Sequence, residues 1–298
     1  MSLPEGFTDG LLLVDKEAGE TSHDVVARAR RVFGVRKIGH TGTLDPFATG
    51  LLILCIGKAT RIAEYLHAFP KSYVATARLG QVTSTLDPEG DVIAEDPGWR
   101  ELEPEAIGRA TEGLVGVQDQ RPPDFSAKKL EGEAAYLRAR RGEAVEIEPV
   151  SVQVHSMTLD RVNLPWIEFS TMVSTGTYIR SLARDLGDVL EVGAHLTALR
   201  RVSIGPFHVD DAVQSSSLES AGEVSRAWVD PLTALDHLPR HDVGPDEARR
   251  LRSGQRLDID QGGFLGDEPV VVAEGRRLVA IAFPEAGQLR PRKVFPEE

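Results

Sequence analysis

A glycine-rich segment, residues 39–50, constrains this chain more than any other part of its sequence. It reads Gly-His-Thr-Gly-Thr-Leu-Asp-Pro-Phe-Ala-Thr-Gly and is followed by an apolar run, residues 51–56. The run predicts a buried strand, and the glycines allow sharp turns and close approach of a ligand to the main chain. Pro46 moves the backbone of Asp45 away from the helical region. The sequence therefore predicts a single carboxylate held rigidly at the end of a core strand.

On the residues alone, two interpretations of this segment stay open. Asp45 is either a nucleophile presented to a large substrate or the cap of an ordinary turn, since clusters of Gly, Asp and Pro are typical of turns. A phosphate-binding P-loop is excluded, because that motif needs Gly, four residues and then Gly-Lys-Ser/Thr. Here Gly57 and Lys58 are followed by Ala59, and Leu52 stands where the first glycine is required.

The composition excludes several classes of protein. The chain has 298 residues, 41% of them apolar, which is enough for one large domain or two. It contains no apolar run of about 18 residues, so no membrane-spanning helix is predicted, and its start lacks the pattern of a signal peptide. The only cysteine, Cys55, falls in the apolar run, which favours a core position and a reducing cytoplasm.

Charge is distributed unevenly along the chain, although the formal net charge is −12. Residues 23–72 carry eight Lys and Arg against three acids, and residues 121–141 carry six against three. Residues 82–112 carry nine acids against two arginines. A global acidic balance argues against broad affinity for nucleic acid, whereas this segregation favours one nucleic-acid-binding face with an acidic back. Ordinary solvated helix faces are the alternative.

Periodicity predicts a mixture of helices and strands. Helices are predicted at residues 25–33, opened by Thr21 and Ser22 and closed by Gly34, and at residues 59–69, 107–114, 178–190 and 246–252. Strands are predicted at residues 73–79, 92–95 (as the hairpin partner of 73–79), 150–157, 166–173, 270–273 and 277–283. This order indicates an α+β fold with a largely antiparallel sheet and flanking helices.

Two segments divide the chain. Residues 118–149 are polar, basic and bounded by prolines, which predicts a functional insertion with a helix at residues 134–141. Residues 231–245 are rich in Pro, Asp and His and predict a boundary. The predicted domains are residues 1–235 and a small β-rich domain, residues 240–298.

Several motifs resemble, in order, those of one known family. Residues 40–46, His-Thr-Gly-Thr-Leu-Asp-Pro, resemble the signature of the bacterial TruB-type tRNA pseudouridine synthases. One departure is Glu17, which follows Lys16 where the family usually has proline. The other matching motifs are Leu-Leu-Val-Asp-Lys (12–16), Thr-Ser-His-Asp (21–24), the strand 71–80, Pro-Pro (122–123), Phe-Ser-Ala (125–127), Gly-Thr-Tyr-Ile-Arg (176–180) and Leu-Arg-Arg (199–201).

The resemblance implies an isomerisation of uridine to pseudouridine in the T-loop of tRNA, at the position conventionally numbered 55. The N-glycosidic bond breaks, uracil turns over, and its C5 bonds to the sugar, so that no cofactor and no metal are required. A carboxylate suits this step because it can bond to or stabilise an oxocarbenium-like carbon. By resemblance Asp45 is that carboxylate. The sequence leaves open whether it attacks C1′ or C6 or acts through a glycal.

The resemblance also implies roles for other residues. Arg180 would form an ion pair with Asp45, and a nearby opposite charge lowers the pKa of a carboxylate. Tyr73 would stack on the flipped uracil with its hydroxyl near C5; a core strand aromatic is the alternative. Further substrate contacts are predicted for Lys16, His40, Tyr178 and Leu199. Contacts to the RNA backbone are predicted for Arg28, Arg31, Lys128, Lys129, Arg138 and Arg141.

The resemblance implies a monomer that binds the T-arm of tRNA without a guide RNA and carries a small C-terminal RNA-binding domain of the PUA type. A guide-RNA-dependent synthase of the same superfamily shares the aspartate motif but usually has a larger C-terminal domain. A non-catalytic RNA chaperone has no need for Asp45. A glycosidase normally needs a second carboxylate.

Overall fold

The computed structural model of the protein describes residues 7–125, 129–130, 133–134, 138, 141, 147–259 and 267–297. In these ranges the helices are α1 Ser22–Phe33, α2 Ala63–His67, α3 Pro104–Gly113, α4 Ile179–Val189, α5 Ala221–Arg226, α6 Pro231–Ala234 and α7 Pro245–Arg252. No helix in the described ranges has the length and apolar character needed to cross a membrane.

The strands of the described residues form one large sheet, one smaller sheet and two short hairpins. They are β1 Gly10–Lys16, β2 Ile38–His40, β3 Thr49–Ile56, β4 Lys71–Leu79, β5 Gln81–Thr83, β6 Val92–Glu95, β7 Gly116–Gln120, β8 Lys129–Leu130, β9 Glu133–Ala134, β10 Val150–Asn163, β11 Trp166–Val173, β12 Ala194–Ile204, β13 Phe207–His208, β14 Val213–Gln214, β15 Trp228–Val229, β16 Arg240–Asp242, β17 Leu257–Asp258, β18 Val270–Glu274, β19 Arg277–Glu285 and β20 Gln288–Val294.

The large sheet has the strand order β14-β1-β3-β12-β4-β11-β10-β7, and most of its neighbouring strands are antiparallel. With helices α1 and α4 packed against it, this arrangement confirms the α+β prediction. Strands β3 and β12 run parallel, with Gly50 opposite Arg201. Gly50 has a φ of 102°, and a Cβ there would lie 2.2 Å from the Arg201 carbonyl oxygen. Only glycine therefore lets the two strands meet at the point where the Asp45 loop enters the sheet.

Helix α1 packs its apolar face under the sheet as predicted. Thr21 is the N-cap and forms a reciprocal capping box with Asp24, which satisfies free N–H groups of the first turn. Gly34 ends the helix in the left-handed conformation with a φ of 69°. The buried face includes Val25, Val26, Ala29, Val32 and Phe33.

Two predicted elements differ in the structure. The predicted helix 59–69 is a 3₁₀ turn, Gly57–Arg61, followed by the short α2. Apolar residues three or four positions apart share one face in both kinds of helix, so the sequence pattern does not distinguish them. The pairing predicted for residues 92–95 with 73–79 is wrong. β6 pairs with β5, because both edges of β4 are occupied by β11 and β12 and Gly80 turns the chain away with a φ of 74°.

The C-terminal sheet has the order β16-β18-β19-β20-β17 and its own buried apolar cluster. It confirms a small β-rich C-terminal unit, while the predicted limits 1–235 and 240–298 stay a prediction. β20 was not predicted. Of the predicted helix 134–141, Ala134 lies in β9 and Arg138 is helical. The rest of it, apart from Arg141, lies outside the described residues, as do Ser126 and Ala127 of the matching motif.

Candidate active site

A cavity of about 280 Å³ opens beside the Asp45 loop. Its walls are residues 41–45, the side chains of β4 and β12, and residues 175–180 at the start of α4. The cavity brings together five residues that the sequence predicted for one site, namely Asp45, Tyr73, Tyr178, Arg180 and Leu199. Tyr73 and Leu199 are buried, each 7% exposed.

The Asp45 loop is held in place by the element before it and the strand after it. The hydroxyl of Ser22, the first residue of α1, accepts a hydrogen bond from the Leu44 N–H at 2.9 Å. The Thr41 N–H donates to the Ile53 carbonyl at 3.1 Å. The Ala48 N–H donates to the Asp45 carbonyl at 3.1 Å. The Asp45 carboxylate is thus held in place by hydrogen bonds of the main chain at Asp45 and at the preceding Leu44.

Arg201 also fixes this loop, a role that the sequence did not predict. Its side chain is fully buried, with Nε donating to the Leu51 carbonyl at 2.7 Å and Nη2 to the Gly42 carbonyl at 3.1 Å. Carbonyls of the loop and of β3 are thereby joined to β12. The signal in the sequence was the Arg-Arg pair within an otherwise apolar stretch, since a strand that carries a buried arginine must supply it with acceptors.

Lys16 occupies a different place from the predicted substrate contact. It is 0% exposed, and its ammonium donates to the carbonyls of Glu17 at 2.8 Å, Glu20 at 2.7 Å and Pro46 at 3.2 Å. Burial lowers the pKa of Lys16, with Glu20 and Asp45 opposing this shift. Lys16 therefore supports the loop from behind Asp45 and does not line the cavity.

Arg180 forms the predicted ion pair with Asp45. Its Nη2 donates to Oδ1 of Asp45 at 3.0 Å, and its Nε lies 3.0 Å from Oδ2. The guanidinium also donates from Nη1 to Oδ2 of Asp87 and to the Thr85 carbonyl, and from Nη2 to the Phe125 carbonyl, each at 3.0 Å. Arg180 is 5% exposed, so it is a buried cation held by three separate segments of the chain.

The pKa of Asp45 shifts in the direction opposite to the one predicted. Burial raises it, and the negative charge of Asp87 raises it further, whereas Arg180 and Lys16 lower it. The prediction considered only the ion pair and not the loss of hydration that accompanies it. Asp45 is accordingly a carboxylate whose charged form depends on Arg180.

Asp87 was not among the predicted site residues, yet it is a central part of the site. Its side chain is 4% exposed, and Oδ1 accepts hydrogen bonds from the Thr85 hydroxyl and from the Glu89 N–H at 3.0 Å. The carboxylates on both sides of Arg180 precede a proline, Pro46 and Pro88. Asp-Pro also occurs at residues 96–97 and 230–231, but only these two pairs follow Thr-Leu. The repeated Thr-Leu-Asp-Pro is the sequence signal that could have identified Asp87.

His40 is not among the residues that line the cavity, and its ring packs edge-to-face against His23 at 5.7 Å between centroids. Its Nδ1 accepts a hydrogen bond from the Gly42 N–H at 3.3 Å. Burial, His23 and Arg201 lower the pKa of His40 to about 4. The imidazole is therefore neutral near pH 7, and its remaining N–H is on Nε2.

Two further polar side chains line the cavity. Lys71 is buried and donates to the carbonyls of His67 at 2.9 Å and Phe69 at 2.7 Å; burial and Arg201 lower its pKa to about 8. Thr41 is 3% exposed, and its hydroxyl has no hydrogen-bond partner among the described residues.

Of the side chains predicted to contact the RNA backbone, the structure describes four, namely Arg28, Arg31, Arg138 and Arg141. Arg28 is bound within the protein, donating to Glu20 and to the Ser215 carbonyl, each at 2.7 Å. Arg31 and Arg141 are exposed and Arg138 is partly exposed. Lys128 and the side chain of Lys129 lie outside the described residues.

A larger cleft of about 480 Å³ lies between the large sheet and the C-terminal sheet. Its charged side chains bind one another: Lys58 lies 3.4 Å from Asp9, and Arg252 lies 2.8 Å from Glu297. The smaller cavity has the reactive groups, and we assign the candidate site to it.

Two family models match most of the chain. Residues 30–179 match the family model "TruB family pseudouridylate synthase (N terminal domain)", and residues 180–238 match "tRNA pseudouridylate synthase B C-terminal domain". The chain is 44% identical over 297 residues to "tRNA pseudouridine synthase B" of Thermobifida fusca (strain YX), covering 97% of this chain and 99% of the relative. It is 39% identical over 303 residues to the protein of that name from Geobacter sulfurreducens, covering 96% and 99%.

Solved structures share the fold. The chain superimposes on the "archaeal box H/ACA sRNP Nop10-Cbf5 complex" with a TM-score of 0.71 at 24% identity, covering 96% of this chain and 85% of that one. A "Structure of H/ACA RNP bound to a substrate RNA containing 2'-deoxyuridine" matches with a TM-score of 0.72 at 23% identity, covering 97% and 85%.

Proposed function

Because the chain belongs to the TruB family of pseudouridylate synthases, we propose that it converts uridine to pseudouridine in tRNA, at the T-loop uridine numbered 55. The observation that carries the proposal is the Asp45–Arg180 pair at the mouth of a cavity walled by Tyr73 and Leu199. The tRNA substrate is supported by the names of relatives that are 39–44% identical over nearly the whole chain.

The reaction moves one carbon–nitrogen bond to a carbon–carbon bond. Asp45 supplies the negative charge for the sugar carbon as the N1–C1′ bond breaks, and the electron pair stays on uracil. The base turns over, C5 bonds to C1′, the proton on C5 leaves, and N1 gains a proton. Tyr73 lines the cavity with Asp45, so its ring stacks on the base. Its hydroxyl oxygen takes the C5 proton while giving up its own proton, which balances the proton gained at N1. Arg180 keeps Asp45 ionised against the effect of burial.

The uridine must leave its stack to reach Asp45. Flipping a base costs a few kcal/mol, and stacking on an aromatic ring returns about 1–3 kcal/mol per base. Contacts with phosphates supply the rest. Arg31, Arg138 and Arg141 are the predicted contacts that the structure describes at or near the surface. We expect the enzyme to act in the cytoplasm, where tRNA matures, as a monomer that holds the T-arm.

The guide-RNA-dependent alternative is favoured only by the shared fold, since those structures are 23–24% identical to this chain. The named bacterial relatives are much more similar. A stand-alone enzyme is therefore the better proposal, and it predicts activity on bare tRNA.

The test is release of tritium from an unmodified tRNA transcript labelled at C5 of uridine, without added metal or guide RNA. We expect the wild type to release about one tritium per tRNA, and Asp45→Asn to release none. Asp91→Asn, at an exposed carboxylate outside the cavity, is the matched control and keeps full activity. A transcript with cytidine at position 55 tests the site. Release from that transcript would contradict T-loop specificity, and no release by the wild type on any tRNA would contradict the stand-alone function.

A further inference from the structure

The beginning of the insertion is joined to the beginning of α4 by a buried amide. Gln120, the last residue of β7, is 2% exposed. Its Oε1 accepts a hydrogen bond from the Tyr178 N–H at 2.8 Å, and its Nε2 donates to the Tyr178 carbonyl at 3.1 Å. Tyr178 precedes α4 with an extended backbone and makes no capping hydrogen bond of its own side chain. Gln120 thus holds both main-chain groups of the residue from which α4 starts.

The next residues of the insertion continue this attachment. The Arg121 carbonyl accepts from the Ser181 hydroxyl at 2.8 Å and from Nη2 of Arg184 at 3.1 Å. The Phe125 carbonyl accepts from Nη2 of Arg180 at 3.0 Å. The nitrogen that reaches Phe125 is also the one that donates to Asp45.

Arg180 follows Tyr178 by two residues, in the first turn of α4. Its guanidinium has to meet Asp45, Asp87 and two carbonyls at the same time, each at 3.0 Å. A planar guanidinium satisfies such a set only in one orientation. A small rotation of the first turn would therefore break at least one of these contacts.

We propose that Gln120 is a positioning residue, which fixes the start of α4 so that Arg180 stays paired with Asp45. This inference rests on the proposed function and deepens it, since it assigns to the insertion a part in organising the reactive carboxylate. The alternative is that Gln120 merely anchors an edge strand and supports stability.

The two alternatives differ in their effect on the titration of Asp45. The charged groups that face Asp45 are Arg180, Lys16 and Asp87. If Arg180 moves away, the charge that most strongly lowers the pKa of Asp45 is weakened, and that pKa rises further. A role in stability alone leaves the pKa of Asp45 unchanged in the folded protein.

The experiment compares Gln120→Met with Gln118→Met. The first substitution keeps the side-chain volume and removes both hydrogen bonds to Tyr178. The second is the matched control on the same strand, where Gln118 donates a single hydrogen bond to the Leu114 carbonyl at 3.2 Å. A third variant, Gln120→Glu, retains the acceptor for the Tyr178 N–H and guards against a folding defect in Gln120→Met.

The pKa of Asp45 is measured in the full-length protein by ¹³C NMR of labelled aspartate carboxyls, with Asp45→Asn assigning the signal. We expect a higher pKa in Gln120→Met, a smaller rise in Gln120→Glu and no change in Gln118→Met. In the tritium assay, we expect kcat of Gln120→Met to fall about tenfold, because Arg180 no longer keeps Asp45 fully in place, while Kd for tRNA changes little.

An unchanged Asp45 titration in folded Gln120→Met and Gln120→Glu would overturn the inference, even if both proteins melt earlier. Because the titration needs no substrate, it decides the question independently of activity. An inactive wild type would contradict the proposed function alone.

Discussion

Asp87 offers the sharpest test of how the site is built. Its carboxylate and the Arg180 guanidinium are 4% and 5% exposed and lie 3.0 Å apart. Removing one partner of a buried ion pair costs about 3–5 kcal/mol, because the other charge stays buried. Arg180 retains Asp45 and two carbonyls, so we expect Asp87→Ala to lose about 3 kcal/mol of unfolding free energy. Asp87→Asn, which keeps the size and one acceptor, should lose about 2 kcal/mol.

Asp87→Asn should also change the pH dependence of catalysis, and this effect favours activity at acidic pH although the substitution lowers stability. The negative charge of Asp87 raises the pKa of Asp45. In Asp87→Asn that charge is absent, the pKa of Asp45 falls, and more Asp45 is ionised at any acidic pH. The acid limb of the profile of kcat against pH should therefore move to lower pH, even though the protein is less stable.

Urea unfolding and the tritium assay at saturating tRNA measure the two effects. Asp91→Asn, on the same hairpin and exposed, is the control and should stay within about 0.5 kcal/mol of the wild type. The reasoning is refuted if Asp87→Ala unfolds within about 1 kcal/mol of the wild type, or if the acid limb of Asp87→Asn stays in place or moves to higher pH.

Three other substitutions test separate features. Gly50→Ala places a Cβ 2.2 Å from the Arg201 carbonyl oxygen at a φ of 102°, so urea unfolding should show a loss of about 3 kcal/mol or more, whereas Gly108→Ala, with open space around it, should show none. Thr41→Val removes a buried hydroxyl that has no partner among the described residues, and we expect the melting temperature to stay or rise; a loss of more than about 1 kcal/mol would mean that the hydroxyl is bound. Burial lowers the pKa of Lys71 from its ordinary value of 10.5 to about 8 in the folded protein. The unfolded chain therefore holds this proton more tightly, and the contribution of Lys71 to stability rises with pH between those values. The wild type should then gain up to about 3 kcal/mol of unfolding free energy relative to Lys71→Met as the pH rises across that range. A difference that does not change with pH would contradict the lowered pKa.

Local patterns predicted the parts of the fold that depend on neighbouring residues. The strand after Asp45 and helix α1 are encoded in contiguous runs with their caps, and both form near the predicted positions. β12 was not predicted as a strand, because His195 and Arg201 interrupt its apolar pattern. Both side chains are buried on main-chain carbonyls supplied by β5 and β3, which no local pattern shows.

The candidate site divides in the same way. Asp45 and Arg180 were found through motifs, but the importance of Asp87 depends on a partner 93 residues away. The position of Lys16 was misjudged for a related reason. Lys16 was predicted to contact the substrate from the family resemblance, and only the fold places three carbonyls around its ammonium.

Arg180 gathers oxygens from segments that are 135, 93 and 55 residues distant along the chain. During synthesis, the complete glycine-rich motif leaves the ribosome long before its arginine does. Until then Asp45 lacks Arg180, the cation that opposes the effect of burial on its pKa. The loop also lacks the hydrogen bond that Arg201 donates to the Gly42 carbonyl. A nascent chain that contains the whole glycine-rich motif, but not yet Arg180 and Arg201, therefore lacks the arrangement on which catalysis depends. The site is complete only once β12 has been synthesised and has paired with β3 and β4, so its chemistry depends on the assembled fold and not on the glycine-rich motif alone.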